Sequence, residues 1–315
     1  MEELASSGSH VVALGRYALP AYVTEEFQRR YGCVNFEVGD VRDGLRLERI
    51  CQRQGVETIV HAATITADAG RESRIPDEIT SVNVLGTVSV LQAARALQCR
   101  RVVYVGSGQA YGLTHRDGKL IEEERSPSRP EELYGITKLA AEQIALRLGE
   151  VWKLDVVAVR LGSVCGPWEF DTGDRDTLSP QLRIARMAVR GEEAILPKRE
   201  SWRDWVYSRD VARGLAAAVH VPACRHRVYH LTSGLNWKDH LLRWCDTLQV
   251  AYPKFSWHVA SELETQNVDH VVRRDRAPMS TARIKADLNF EAKFGPAEAY
   301  DDYIAWLREH ERFIV

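Results

Sequence analysis

Arg101-Val102-Val103-Tyr104-Val105-Gly106-Ser107-Gly108-Gln109-Ala110-Tyr111-Gly112 is an apolar, β-branched run that ends abruptly in glycine, serine and glutamine. A short run that is apolar at successive positions, closed by a glycine-rich turn, predicts a strand buried on both faces, which is the habit of parallel sheets. Parallel strands carry ligand chemistry at their C-terminal ends. Ser107 therefore stands where a hydroxyl can meet a substrate, or it is a loop serine that satisfies nearby backbone.

Working outward, short runs rich in valine and isoleucine at 10–14, 34–38 and 58–62 alternate with segments of helical period at 25–31, 45–54 and 79–97. Beyond the quoted run, a helical segment at 131–149 leads to another apolar run at 156–160. This alternation predicts an α/β fold, a Rossmann-type doubly wound parallel sheet joined by right-handed crossovers. Past Leu161 the rhythm loosens and Pro, Gly, Trp and charged residues come between shorter elements. The sequence thus predicts a dinucleotide-binding part over 1–161 and a smaller substrate lobe over 162–315 that shares one core with it. A fold of this type begins with a strand, a glycine-rich turn and a helix whose N-terminus holds pyrophosphate. Residues 1–8 read instead as the tail of a helix that leads directly into the run at 10–14. The expectation is an N-terminally truncated sheet, lacking its first strand and glycine-rich turn, with a gap between two buried strands.

A formal net charge of −2 over 315 residues leaves no basic footprint for nucleic acid. No stretch approaches the roughly 18 apolar residues of a membrane span. Cys33, Cys51, Cys99, Cys165, Cys224 and Cys245 have neither the paired spacing of a metal site nor the density of a disulfide scaffold. The expected protein is cytoplasmic, with reduced thiols, no metal, and a small molecule as its partner.

Downstream of Ser107, Tyr134 and Lys138 stand at i and i+4 in Glu132-Leu133-Tyr134-Gly135-Ile136-Thr137-Lys138-Leu139, so on a helix they share one face. An ammonium beside a phenol lowers its pKa toward neutrality and suits it to proton transfer. The same two residues can also decorate a solvated helix. A strand-end serine followed by this tyrosine–lysine helix is more specific than either part.

Together these motifs resemble the extended short-chain dehydrogenase/reductase family, the NAD-dependent epimerase/dehydratase group, from the second strand to the C-terminus. The resemblance implies a catalytic triad of Ser107, Tyr134 and Lys138. It implies a cofactor, NAD or NADP, along Asp40 and Val41 of Gly39-Asp40-Val41-Arg42-Asp43, along Ala62 and Ala63 of His61-Ala62-Ala63, and at Tyr134 and Lys138. Asn83 matches the family's helix asparagine, and Arg160 with Gly166-Pro167 matches the strand leading into the substrate lobe. Arg203 in Arg203-Asp204-Trp205 and Arg276 match phosphate-binding arginines of nucleotide-sugar members, although each suits a carboxylate equally, and an ion pair of Arg203 with Asp204 or Asp210 is the structural alternative. A homodimer through the helices at 79–97 and 131–149 is also implied.

Departures from the family pattern narrow the reading. Where dehydratases place an Asp-Glu pair beside the catalytic Ser or Thr, this chain has Gly108 and Gln109. Where many nucleotide-sugar members carry Asn after the Arg160 strand, Ser163 stands, as in members that oxidise free sugar acids. At the end of the run 10–14, an acid would bond the ribose 2′-hydroxyl of NAD, but the chain reads Ala13-Leu14-Gly15-Arg16, and Arg16 either favours the 2′-phosphate of NADP or is a solvent-facing residue that starts the loop. The function expected is an epimerase or dehydrogenase acting by hydride transfer on a sugar nucleotide or related carbohydrate. The alternatives are a dehydrogenase of free sugars or sugar acids, and a non-catalytic relative with a binding role.

Overall fold

The computed structural model describes residues 1–114, 119–176, 178–199, 203–235, 237–268 and 275–314. Its strands are β1 (Val11–Gly15), β2 (Val34–Val38), β3 (Thr58–His61), β4 (Arg101–Ser107), β5 (Val156–Leu161), β6 (Ser163–Cys165), β7 (Glu193–Leu196), β8 (Trp205–Tyr207), β9 (Val228–Leu231) and β10 (Ser256–Val259). The helices are α1 (Glu2–Ser6), α2 (Ala21–Tyr31), α3 (Gly44–Gln54), α4 (Ala69–Arg74), α5 (Pro76–Thr80), α6 (Gly86–Ala96), α7 (Leu133–Trp152), α8 (Pro180–Arg190), α9 (Ser208–His220), α10 (His240–Ala251), α11 (Ala282–Leu288) and α12 (Pro296–Ile314). Local chemistry sets their ends. Asp43 caps α3 by accepting from the Arg46 amide, and Gly55 closes it in the left-handed conformation. Ser179 and Pro180 start α8 in the same way, and Gly191 ends it.

The principal strands are parallel, but the sheet is in two parts. β1 pairs with β2, while β3, β4, β5 and β9 form a separate four-stranded sheet in that order. The interruption lies between β1 and β3, where the sequence predicts a strand to be lacking. Burial follows from it: nearly every residue of β4 and β5 is buried, whereas most of β1 and β3 are only half-buried. Helices bridge the interruption. α1 packs on both α2 and α9 on one face, and α3 packs on α6 on the other, where α6 continues onto α7.

Two features of the fold differ from the sequence reading. The helix expected at 79–97 forms, but it begins earlier, at Pro76, and runs without a break through α5, a π-helical turn over Ser81–Leu85, and α6. Inserted residues of this kind cluster at functional sites, and here the turn carries Asn83. β9 comes from the second half of the chain yet is the outer strand of the main sheet, so the sheet does not end at Leu161. The remaining strands make two small parallel pairs, β6 with β8 and β7 with β10. The halves share a core: Val23, Phe27 and Val34 pack in one cluster with Leu182, Trp244 and Trp306. No helix among the described residues is long and apolar enough to cross a membrane.

Candidate active site

Three elements converge at the C-terminal end of β4. Ser107 ends the strand, and its Oγ accepts from the Gln109 amide at 3.1 Å as the chain turns into the short 3₁₀ segment Gly108–Tyr111. α7 enters beside it. A Cβ on Gly135 would lie 2.8 Å from the Gln109 carbonyl oxygen and 3.1 Å from Pro130 Cβ, so only glycine lets the helix start this close to the turn. The approach brings the Tyr134 oxygen to the Ser107 hydroxyl, which donates toward it. The first turn of α7 has no side-chain cap on Glu132. Instead the Tyr134 amide donates to Glu72 Oε1 at 3.4 Å.

Tyr134 is half-buried as a residue, but its hydroxyl lies deep. Desolvation pushes its pKa above the ordinary phenol value, against the Ser107 hydrogen bond and the charges of Arg175 and Arg276. Lys138, one turn on, is buried. It donates from Nζ to the Val105 carbonyl at 2.6 Å, stacks its ammonium 4.4 Å over the Tyr104 ring, and is pushed down to about 7 by burial, opposed by Glu142. The cations that act on the Tyr134 phenol are therefore Arg175 and Arg276, and the Lys138 ammonium is directed at the strand.

Beneath Lys138 lies a buried polar chain. Glu142 receives Arg160 Nε at 2.9 Å and Nη2 at 2.6 Å. Arg160 stacks 4.6 Å over Tyr111, whose hydroxyl meets His230 Nε2 at 2.6 Å. Asn83 fixes the other side: its Oδ1 accepts from Thr64 Oγ1 and the Ile65 amide, and its Nδ2 donates to the Ile65 carbonyl and to Thr137 Oγ1. Thr137 in turn donates to the Tyr134 carbonyl at 3.0 Å. Asn83 thus ties the loop after β3 to the helix that carries Tyr134.

The residues expected along a cofactor are split across the sheet. Ala62 and Ala63 are exposed just past β3. Asp40 follows β2 and accepts from the amide of Arg42 and from its guanidinium, which holds the carboxyl below its usual range. The Val41 side chain is buried with Leu47, Ile79 and Val82, so only its backbone can line a ligand. Arg16 is not a free cation: it donates to Glu78 Oε1 at 2.8 Å and to Asp174 Oδ1. Burial lowers its pKa, but these partners outweigh burial and raise it overall. The basis for an NADP preference is thereby removed, because a 2′-phosphate would have to displace two carboxylates. The reacting end fits a nicotinamide nucleotide through its small exposed alanines, Ser107 and Tyr134. No G-x-G-x-x-G turn occurs among the described residues to take the pyrophosphate.

Toward the substrate half, Arg276 Nη2 donates to Gln109 Oε1 at 2.5 Å. Arg203 is pushed down to about 10, first by desolvation and then by repulsion from Arg276, against attraction to Glu132. It pairs with neither acid of the structural alternative. Asp204 is held by Thr232 Oγ1 and the Met279 amide, and Asp210 by Arg213 and the amides of Lys293 and Phe294. Ser163 opens β6 with its amide donating to the Asp204 carbonyl at 2.8 Å. Sequence reasoning missed Arg175, which stands in no motif. It lies in a strap, 171–176, bridged to Thr66 beyond β3, with its guanidinium 3.2 Å from Glu169.

The model of the NAD dependent epimerase/dehydratase family matches residues 1–230. The chain belongs to this family. Among relatives, a trifunctional UDP-glucose 4,6-dehydratase/UDP-4-keto-6-deoxy-D-glucose 3,5-epimerase/UDP-4-keto-L-rhamnose-reductase of Arabidopsis thaliana is 28% identical over 200 residues, covering 62% of this chain and 28% of that protein. The chain spans less than two thirds of the length of the curated relatives it matches first. The UDP-glucose 4-epimerase of Thermotoga maritima, solved with UDP-glucose, superposes with a TM-score of 0.76 at 20% identity, over 98% of this chain and 94% of that one. The dTDP-glucose 4,6-dehydratase of Bacillus anthracis, solved with NAD, gives 0.75 at 18% identity, over 99% and 92%. Family membership and these superpositions agree with the α/β Rossmann architecture.

Proposed function

We propose that the chain is an NAD-dependent epimerase or dehydrogenase of a nucleotide sugar. The observation that carries this reading is the meeting of Ser107 and Tyr134 at one strand end with two arginines, Arg203 and Arg276, close enough to repel each other. A desolvated guanidinium, Arg203, within repulsive reach of a half-buried one, Arg276, suits an anion of more than one charge, and a diphosphate supplies that. Ala62, Ala63, Tyr134 and Lys138 would hold the nicotinamide end of NAD, with Asp40 at the adenine end. Bound there, the nicotinamide would supply the hydride acceptor and donor.

Ser107 polarises the substrate oxygen and orients it toward Tyr134. Tyr134 moves the proton at its hydroxyl, taking it from a sugar hydroxyl on oxidation and returning it on reduction. Lys138, titrating near 7, stands on the same helix face and holds the end of β4 through the Val105 carbonyl. Gly108 and Gln109 offer no acid pair for eliminating water, and Gln109 is engaged by Arg276, so dehydration is disfavoured. A binding role without turnover is the second reading, supported by the interrupted sheet.

The test is a screen of the purified chain with NAD against UDP-glucose, dTDP-glucose and UDP-glucuronate, and against free glucose and glucuronate. Nicotinamide absorbance and product stereochemistry are followed. The expected result is turnover of a nucleotide sugar that falls about 10²-fold or more in Tyr134→Phe. Turnover of free sugars alone would reverse the substrate assignment. Saturable nucleotide-sugar binding without turnover would establish the second reading.

A further inference from the structure

Arg16 sits one residue past β1, at the sheet edge where this fold type distinguishes NAD from NADP. The surroundings of Arg16 are acidic and built from distant parts of the chain. Glu78 comes from α5. Asp174 comes from the strap in the second half, where its backbone is fixed against the loop after β3: the Thr66 amide donates to the Asp174 carbonyl at 2.9 Å, and the Asp176 amide to the Thr66 carbonyl at 3.1 Å. Arg71 anchors the same strap through Asp176 at 2.9 Å and the Gly173 carbonyl at 2.7 Å. Arg42 is taken up by Asp40. Three guanidiniums, of Arg16, Arg42 and Arg71, thus face four carboxylates, of Asp40, Glu78, Asp174 and Asp176, and every one of those cations already has a partner.

We propose that Glu78 and Asp174, oriented by Arg16, are the specificity-determining acids that select NAD over NADP, in place of an acid on the strand end itself. The inference rests on the NAD-dependent reading above and adds to it which residues make the choice. Glu78, Asp174 and Arg16 keep side-chain exposures of 34%, 20% and 25%, enough for a ribose edge to reach them. A ribose 2′-hydroxyl can donate to either carboxylate. A 2′-phosphate accepts but cannot donate, so it meets an excess of negative charge and a guanidinium whose donors are in use.

The test uses direct binding. Adenosine 5′-phosphate and adenosine 2′,5′-bisphosphate are titrated calorimetrically into the full chain, and NADH and NADPH are titrated by fluorescence. The 2′-phosphorylated member of each pair should bind at least tenfold more weakly. Glu78→Gln, an isosteric change at a partly exposed site, and Asp174→Asn should each move that ratio several-fold toward the 2′-phosphate. The two together should move it tenfold or more by releasing Arg16, and adding Arg16→Ala should cancel the gain. Circular dichroism reports that each variant is folded. A ratio that neither variant moves would overturn the assignment while leaving the NAD reading intact, whereas equal or tighter binding of the 2′-phosphorylated ligand by the unaltered chain would overturn the assignment together with the preference for NAD. Binding of none of the four ligands would overturn both.

Discussion

Glu142→Gln should both destabilise the protein and shift the titration of Lys138. The Glu142 and Arg160 side chains are 1% and 5% exposed, joined by contacts of 2.9 and 2.6 Å. Removing one partner of such a pair leaves the other charge buried and costs about 3–5 kcal/mol. Glutamine keeps one acceptor for Arg160, which places the loss near the lower figure. At about 2–4 °C per kcal/mol for a domain of this class, the melting temperature should fall by roughly 6–12 °C. The second effect acts on Lys138, one helical turn away. A charge at about 6 Å and an effective dielectric of about 20 is worth roughly 2.8 kcal/mol, of which Arg160 cancels a large part. If half remains, Lys138 loses about one pH unit of support, from about 7 downward. Calorimetric melting reads the first effect; an NMR pH titration of the Lys138 side-chain signals reads the second. Replacing Glu142 and Arg160 together by Met should recover most of the stability. A melting point within about 2 °C of the parent and an unmoved Lys138 titration would refute the buried pair as the support of this centre.

Three further outcomes are expected. Lys138 titrates near 7 when folded against 10.5 for the ordinary group; between those values the unfolded chain binds the extra proton, so stability rises with pH by up to about 1.4 kcal/mol per unit. Denaturant unfolding between pH 7 and 8.5 should show that slope, and Lys138→Met should remove it. Asn83→Ala should cost about 2–4 kcal/mol in the same assay, because it leaves the Ile65 amide and carbonyl without their buried partner. Arg203→Ala and Arg276→Ala should each weaken a nucleotide sugar by about 1.5–3 kcal/mol in calorimetric titration; a ligand that depends on only one of them carries a single anionic group.

The strands were legible because valine-rich runs bounded by turn residues leave little choice of structure, and the five runs of the first half form within two residues of the expected bounds. The π turn at Asn83 was not, since helical period continues through Ser81–Leu85 and the local widening accompanies a side chain bonded to Ile65 and Thr137. β6 and β8 are only three residues long, below the reach of any periodicity, and β9 joins the main sheet by pairing with β5, a long-range contact. At the site, Ser107 and Tyr134 could be placed because one strand end and one helix carry them. Arg16 looked available because its partners, Glu78 and Asp174, are remote in sequence. Lys138 shares a helix face with Tyr134, but the Val105 carbonyl captures its ammonium.

The interruption between β1 and β3 divides the cofactor-facing residues mechanically. Arg16, Asp40 and Val41 ride on the two-stranded plate, while Ala62, Ala63, Ser107, Tyr134 and Lys138 ride on or against the four-stranded one. Among the described residues no ladder of backbone hydrogen bonds crosses between the plates, so the seam is held by helices and by ionic contacts such as Arg16 with Glu78. It is therefore the line along which the molecule should breathe first. A dinucleotide reaching from Asp40 to Tyr134 would lie across that seam as a staple. Its binding free energy would add directly to the cohesion of the two plates, by RT ln(1 + [L]/Kd). Cofactor concentration would then set both catalytic competence and the rate at which the seam opens to solvent and proteases.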